Sequence, residues 1–143
     1  MPDWEDLDWQ LFSNVEKKLK YLPKRPGAYA VRLAPKGQPK AISRAFGEDQ
    51  SGILCFGRAT GQQGLKSRLK YFCKAAAGKE SAHAEGQRYH KLKYDRRNFP
   101  LDWLQIGWKV FDLADDAKEK EIAWFDEYLK MFGELPPLNR RRG

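Results

Sequence analysis

The sequence lacks the features that mark several common protein classes. Among 143 residues there are two cysteines, Cys55 and Cys73. That pair excludes a disulfide framework and a four-cysteine zinc site, and it suits a reducing, cytoplasmic setting. No apolar run approaches the ~20 residues of a membrane span. The opening stretch, Met1-Pro2-Asp3-Trp4-Glu5-Asp6, is acidic where a signal peptide would be basic and then apolar. No internal repeat is visible, which excludes a solenoid.

What the chain does have is aromatic mass and a localised positive charge. Five Trp, eight Phe and six Tyr can build the core of one domain despite 32% charged residues. Net charge is +8, and residues 58–97, with 11 Lys and Arg against 3 acids, account for all of it. A segment of this kind suits a phosphate-facing surface, although charge alone fits a merely solvated face equally well. Residues 88–97, Arg88-Tyr89-His90-Lys91-Leu92-Lys93-Tyr94-Asp95-Arg96-Arg97, interleave cations with aromatics, as backbone contacts plus base stacking require. Arg140-Arg141-Arg142 adds a cationic tail. Neither run separates DNA from RNA.

Periodicity sets the expected elements. Leu7, Leu11, Val15 and Leu19 recur four apart, which predicts a short amphipathic helix in an N-terminal extension over residues 1–24, ended by Pro23 and Pro26. Trp4 and Trp9 would pack it on the main body or meet a partner. Residues 27–33 alternate and read as a strand, residues 34–51 as a long hairpin connection, and residues 53–56 as a second strand. Leu65, Leu69, Phe72 and Cys73 mark one face of a helix, with Lys66, Lys70 and Lys74 on its other faces. A basic, aromatic helix is expected over residues 82–94. Residues 101–111 give the clearest strand, with Leu104, Ile106, Trp108 and Val110 on one face. Asp115 or Asp116 could cap a last helix that ends near Phe132 at Gly133, before Pro136-Pro137.

Glu121 is the residue hardest to explain as ordinary packing. On that last helix Leu113, Ala117, Phe125, Tyr128 and Phe132 lie within roughly 80° of it. An acid inside an apolar stripe must be paired, protonated or bound to a cation. A structural partner such as Lys118, or an Arg from elsewhere, is one answer.

A second answer comes from order along the chain. Gly27-Ala28-Tyr29 opens one strand and Cys55-Phe56-Gly57 closes another; Arg68 follows eleven residues after Gly57 in Leu65-Lys66-Ser67-Arg68-Leu69. Glu121 and Asn139 come later in the order. This set, spread over residues 25–139, resembles the GIY-YIG nuclease family. The resemblance implies a domain over residues 25–143 of α/β class (α+β type), with a small, mainly antiparallel three-stranded sheet flanked by helices. It implies a divalent-metal-dependent endonuclease that hydrolyses phosphodiester bonds in nucleic acid, DNA ahead of RNA. Arg68 would bind the scissile phosphate, Glu121 would hold Mg²⁺ or Mn²⁺, Tyr29 would orient or activate water, and Asn139 would steady the site. Arg58, after the glycine, stands where repair-type members often carry lysine. Lys66, Lys70, Lys74, Arg88, Lys91, Lys93, Arg96 and Arg97 would contact nucleic acid.

The chain departs from the family where proton transfer is concerned. Cys55 replaces the tyrosine of the second tripeptide, and Phe72 stands where relatives offer Tyr or His. Cys55 in an apolar strand is a small hydrophobe rather than a nucleophile. Tyr71, His83, Tyr89 and His90 are the replacements within reach in sequence, and His90 is the one added to the site. A nucleic-acid-binding protein of the same fold without chemistry is the alternative. A protein-interaction module, docking through its Trp-bearing N-terminus, is a third reading.

Overall fold

The structure is a computed structural model that describes residues 2–92 and 100–142. In chain order its elements are β1 (Gln10–Leu11), α1 (Phe12–Lys17), β2 (Gly27–Leu33), β3 (Ile42–Arg44), β4 (Gly47–Asp49), β5 (Ile53–Ala59), α2 (Gly64–Ala76), α3 (Ala84–Lys91), β6 (Leu104–Val110) and α4 (Ala114–Phe132). None of the described helices is long and apolar enough to cross a membrane.

Alternation in β2 decides the architecture. Tyr29, Val31 and Leu33 face one side, Ala28 and Ala30 the other, and all five are buried. A strand buried on both faces belongs at the centre of its sheet. β2 accordingly pairs antiparallel with β5 on one side and β6 on the other. The order is β1-β6-β2-β5, so the three expected strands gain a fourth of two residues. The long connection after β2 folds into the separate β3–β4 hairpin.

Two cores follow from the two faces. Tyr29, Val31, Cys55, Leu104 and Ile106 pack against Val15 of α1, Leu65, Leu69 and Phe72 of α2, and Tyr89 of α3. On the opposite face the small Ala28 and Ala30 let α4 approach closely, and its Trp124, Phe125, Tyr128 and Phe132 close over Phe56. Phe56 is the hub, with ring centroids 5.1 Å from Trp4, 5.3 Å from Trp124 and 5.5 Å from Phe125. Such aromatic pairs add to the burial of their area.

The ends of α4 follow local chemistry. Gly133 terminates it with φ 75°, a conformation that costs glycine little. Leu113, not an aspartate, occupies the N-cap; Asp115 and Asp116 lie in the first turn, where they oppose the helix dipole.

The N-terminus corrects the sequence expectation. No helix runs from Leu7 to Leu19; α1 holds only residues 12–17. Gln10 and Leu11 pair with β6, which demands extended backbone, and Trp4 is fully buried on the α4 face with its indole N–H donating to Ser51 Oγ at 3.1 Å. The chain therefore passes from one face of the sheet to the other, which one continuous helix could not do. Trp4→Ala should lower stability in urea unfolding by about 3–5 kcal/mol. Tyr21→Ala, at a residue 76% exposed, should stay within about 0.5 kcal/mol. A similar small effect at Trp4 would contradict this packing.

Candidate functional site

Among the described residues no further strand pairs with the outer edge of β5. α2 and α4 lie on opposite faces of the sheet, yet both flank this edge. Between them opens a cavity of about 480 Å³, lined by Tyr29, Gly57, Arg58, Arg68, Glu85 and Glu121 among others. The helices that supply the guanidinium and the carboxylate are thus on different layers, while their side chains meet around the open edge.

Each strand residue reaches the cavity for a local reason. Tyr29 and Gly57 are cross-strand partners on β2 and β5. A methyl at Gly57 would overlap the Tyr29 ring, so only glycine lets the phenol lie across the edge strand. Arg58 has the parity of Phe56 and turns to the α4 side, where a guanidinium nitrogen is 3.4 Å from a Glu121 carboxylate oxygen.

On α2 the residues Gly64, Ser67, Arg68 and Tyr71 recur at helical spacing and line the cavity. Lys66, Lys70 and Lys74 are not among the lining residues; they occupy other faces of the same helix. α3 begins at His83, whose Nδ1 lies 3.2 Å from the Gly86 N–H and whose Nε2 lies 2.6 Å from the Tyr29 hydroxyl oxygen. Glu85 and Arg88 point into the cavity, and Arg88 also donates to the Leu138 carbonyl.

Asn139 ties these parts together. Its Oδ1 accepts from the Phe56 N–H at 2.9 Å and its Nδ2 donates to the Phe56 carbonyl at 3.1 Å, so the amide pairs with the edge strand as a backbone would. The same Nδ2 lies 3.2 Å from Glu85 Oε1. The tail after it is anchored: Arg142 pairs with Asp126 at 2.6 Å, and Arg140 and Arg141 line the cavity.

Other expected residues lie elsewhere. His90 packs against Gly78, at the end of α2, and is not among the cavity residues. His83 takes its place as the imidazole at the site, because the N-cap of α3, not its last turn, abuts Tyr29. Lys91 is exposed at the end of α3. Lys93, Arg96 and Arg97 fall outside the described residues. Sequence reasoning missed Glu85 as a site residue. The only signal available was its position two after His83, in the first turn of a helix.

Burial and Arg68 set the electrostatics. Burial raises Glu121 above the usual carboxyl range, opposed by Arg58, raised further by Glu85 and lowered by Arg68. Burial likewise raises the Tyr29 phenol, against the pull of Arg68. Burial first, and Arg68 second, depress His83 to about 3, so the imidazole is neutral. The Cys55 thiol is pushed well up by burial, which removes it as a thiolate nucleophile.

Among the described residues no group of three or more His, Cys, Asp or Glu side chains is placed to hold a metal ion. Glu121, 5% exposed and open to a water-accessible cavity, still fits Mg²⁺, which takes one or two carboxylates and completes its shell with water and phosphate. Comparisons with protein-family models, curated proteins and solved structures return no significant match.

Two outcomes follow from this geometry. Gly57→Ala should displace the Tyr29 ring, read as loss of the Tyr29–His83 contact by NMR; an unmoved ring would contradict the close approach. His83 also predicts a pH effect. Its folded value of about 3 lies below the ordinary 6.5, so the unfolded chain binds the proton first. Its contribution is intact above the ordinary value and is lost as pH falls, about 3 kcal/mol by pH ~4. His83→Asn, which supplies an N-cap acceptor oxygen, should lose less stability than wild type between neutral and acid pH.

Proposed function

We propose that the chain is a divalent-metal-dependent endonuclease of the GIY-YIG type that hydrolyses phosphodiester bonds, with DNA ahead of RNA as substrate. The observation that supports this most is the meeting of Arg68, Glu121 and Tyr29 at one cavity from three different elements. A merely structural acid on α4 has no need of an open cavity or of a second helix's guanidinium beside it.

The roles follow from the groups. Arg68 stays charged and forks onto non-bridging phosphate oxygens, offsetting the charge that grows as water attacks phosphorus. Glu121 holds Mg²⁺, which when bound supplies Lewis acidity to the phosphate. Arg58, its side chain 31% exposed, is free to turn from Glu121 toward a flanking phosphate. Arg88, Arg140 and Arg141 at the cavity extend the cationic surface along the backbone. The Tyr29 oxygen orients the attacking water. The water's proton leaves to the solvent-filled cavity, and the bond to the leaving oxygen breaks as the new P–O bond forms.

A catalytically impaired nucleic-acid-binding protein is the second reading. Cys55, buried and in its thiol form, favours it, since that position supplies no proton acceptor. For the docking reading, Trp4 is 0% exposed and offers no surface to a partner, while Trp9 is half-buried.

Plasmid, single-stranded DNA and RNA, each incubated with Mg²⁺ or Mn²⁺, test the proposal. Cleavage should occur and should fall about 10²–10³-fold in Arg68→Ala and Glu121→Gln. Mg²⁺ should raise the melting temperature of wild type but not of Glu121→Gln. Salt-sensitive binding without cleavage in either metal would replace the enzyme with the second reading.

A further inference from the structure

Tyr29 and Glu85 each present a buried polar atom that the neutral imidazole between them can satisfy. We propose that His83 is a positioning residue in its Nδ1–H tautomer, donating to Glu85 and accepting the Tyr29 hydroxyl proton at Nε2. The role this gives Tyr29 in cleavage rests on the nuclease reading; the tautomer itself does not.

Three observations argue for it. The Tyr29 ring is 1% exposed and its oxygen lies 2.6 Å from Nε2. Arg68, whose guanidinium acts on that oxygen, can only donate, so the phenol's own proton needs an acceptor, and among the described residues Nε2 is in contact with the hydroxyl. Glu85 Oε2 is buried without a hydrogen-bond partner, and Nδ1 is 3.5 Å away. A small turn of the imidazole or the carboxylate closes that gap. Asn139 already holds the other carboxylate oxygen at 3.2 Å, so Glu85 faces His83 from a fixed position.

The opposing demand is the Gly86 N–H, 3.2 Å from Nδ1, which the other tautomer would satisfy. The balance favours Nδ1–H. That tautomer satisfies a phenol and a buried carboxylate oxygen at the expense of one neutral backbone donor, so two polar groups are met for one left without a partner.

The consequence for Tyr29 is directional. With its O–H donating to Nε2 and one lone pair toward Arg68, the phenol oxygen has acceptor capacity left for a water in the cavity. Tyr29 then holds the attacking water as an acceptor while remaining a neutral phenol. The ordered chain Asn139–Glu85–His83–Tyr29 runs from the C-terminal segment to the site. It supplies, through α3, an orientation that no side chain at Cys55 or Phe72 provides; Phe72 instead packs edge-on to the His83 ring at 5.3 Å.

The chain contains two histidines, His83 and His90, so ¹⁵N NMR of histidine-labelled protein at neutral pH reads the tautomer directly. His90→Gln assigns the signals. The His83 resonances should show a protonated Nδ1 and an unprotonated Nε2. Glu85→Ala should shift His83 toward Nε2–H, and Glu85→Gln, which keeps an acceptor oxygen, should retain Nδ1–H. With an active nuclease, cleavage should fall about tenfold in Glu85→Ala and recover in Glu85→Gln, with metal-induced stabilisation unchanged in both. An Nε2–H signal in wild type overturns the proposal, and so does a His83 tautomer indifferent to Glu85→Ala. The wild-type spectrum decides alone if Glu85→Ala fails to fold. Absence of cleavage by wild type beside an Nδ1–H spectrum removes the nuclease reading and leaves the tautomer standing.

Discussion

The packing of the Tyr29 ring across Gly57 at the open edge of β5 is the contact on which the rest of the site depends. A sheet separates the helices on its two faces, and ordinarily their side chains cannot meet. Around an edge that no further described strand extends they can, provided the edge strand has a position without a side chain. Gly57 is that position. The phenol fills the space from the α2 side, Arg58 follows on the α4 side, and the cavity forms where α2 and α4 both pass the edge. The two cores hold this geometry from either face, so the site rests on regular elements rather than on loops, which favours fixed positions for its groups.

Arg68 is the electrostatic centre. It lowers the acid of Glu121, lowers the phenol of Tyr29 and disfavours a charge on His83. One guanidinium therefore couples to three groups that come from β2, α3 and α4. Burial outweighs it at Tyr29 and Glu121 and acts with it at His83, so the Tyr29 phenol and the His83 imidazole rest uncharged and the carboxyl is held above its usual range. An arriving phosphate and a divalent cation would each change that balance, the first by engaging Arg68, the second by offsetting Glu121. On the proposed nuclease reading, the site would therefore take ligands that carry charge of both signs.

Much of the scaffold was legible because it rests on local periodicity. Alternation in residues 27–33 and 104–110 marked the central strands, and the apolar stripe around Glu121 marked α4 together with the oddity of its acid. Gly133 read correctly as the end of that helix because a left-handed residue there favours glycine. The N-terminal segment was misread because the fourfold spacing of leucines competes with a non-local demand, the pairing of Gln10 with Ile106 and the burial of Trp4. The choice of His90 over His83 failed for a related reason. Both share α3's neighbourhood, and only the angle at which α3 meets β2 decides which imidazole touches Tyr29. Lys66, Lys70 and Lys74 lie on faces of α2 other than the Gly64–Ser67–Arg68–Tyr71 face that lines the cavity, a division that helical spacing alone implied. Glu85 was invisible, since nothing in sequence shows that Asn139, far along the chain, would hold it.

On the proposed reading, one cation binds at the β5 edge, between helices on opposite faces. Paramagnetic broadening of backbone amides by Mn²⁺ locates that cation. Broadening should centre on Gly57, Arg58, Glu85 and Glu121 together and be lost in Glu121→Gln. Broadening confined to surface acids such as Asp112 and Asp126, or unchanged by Glu121→Gln, would contradict it.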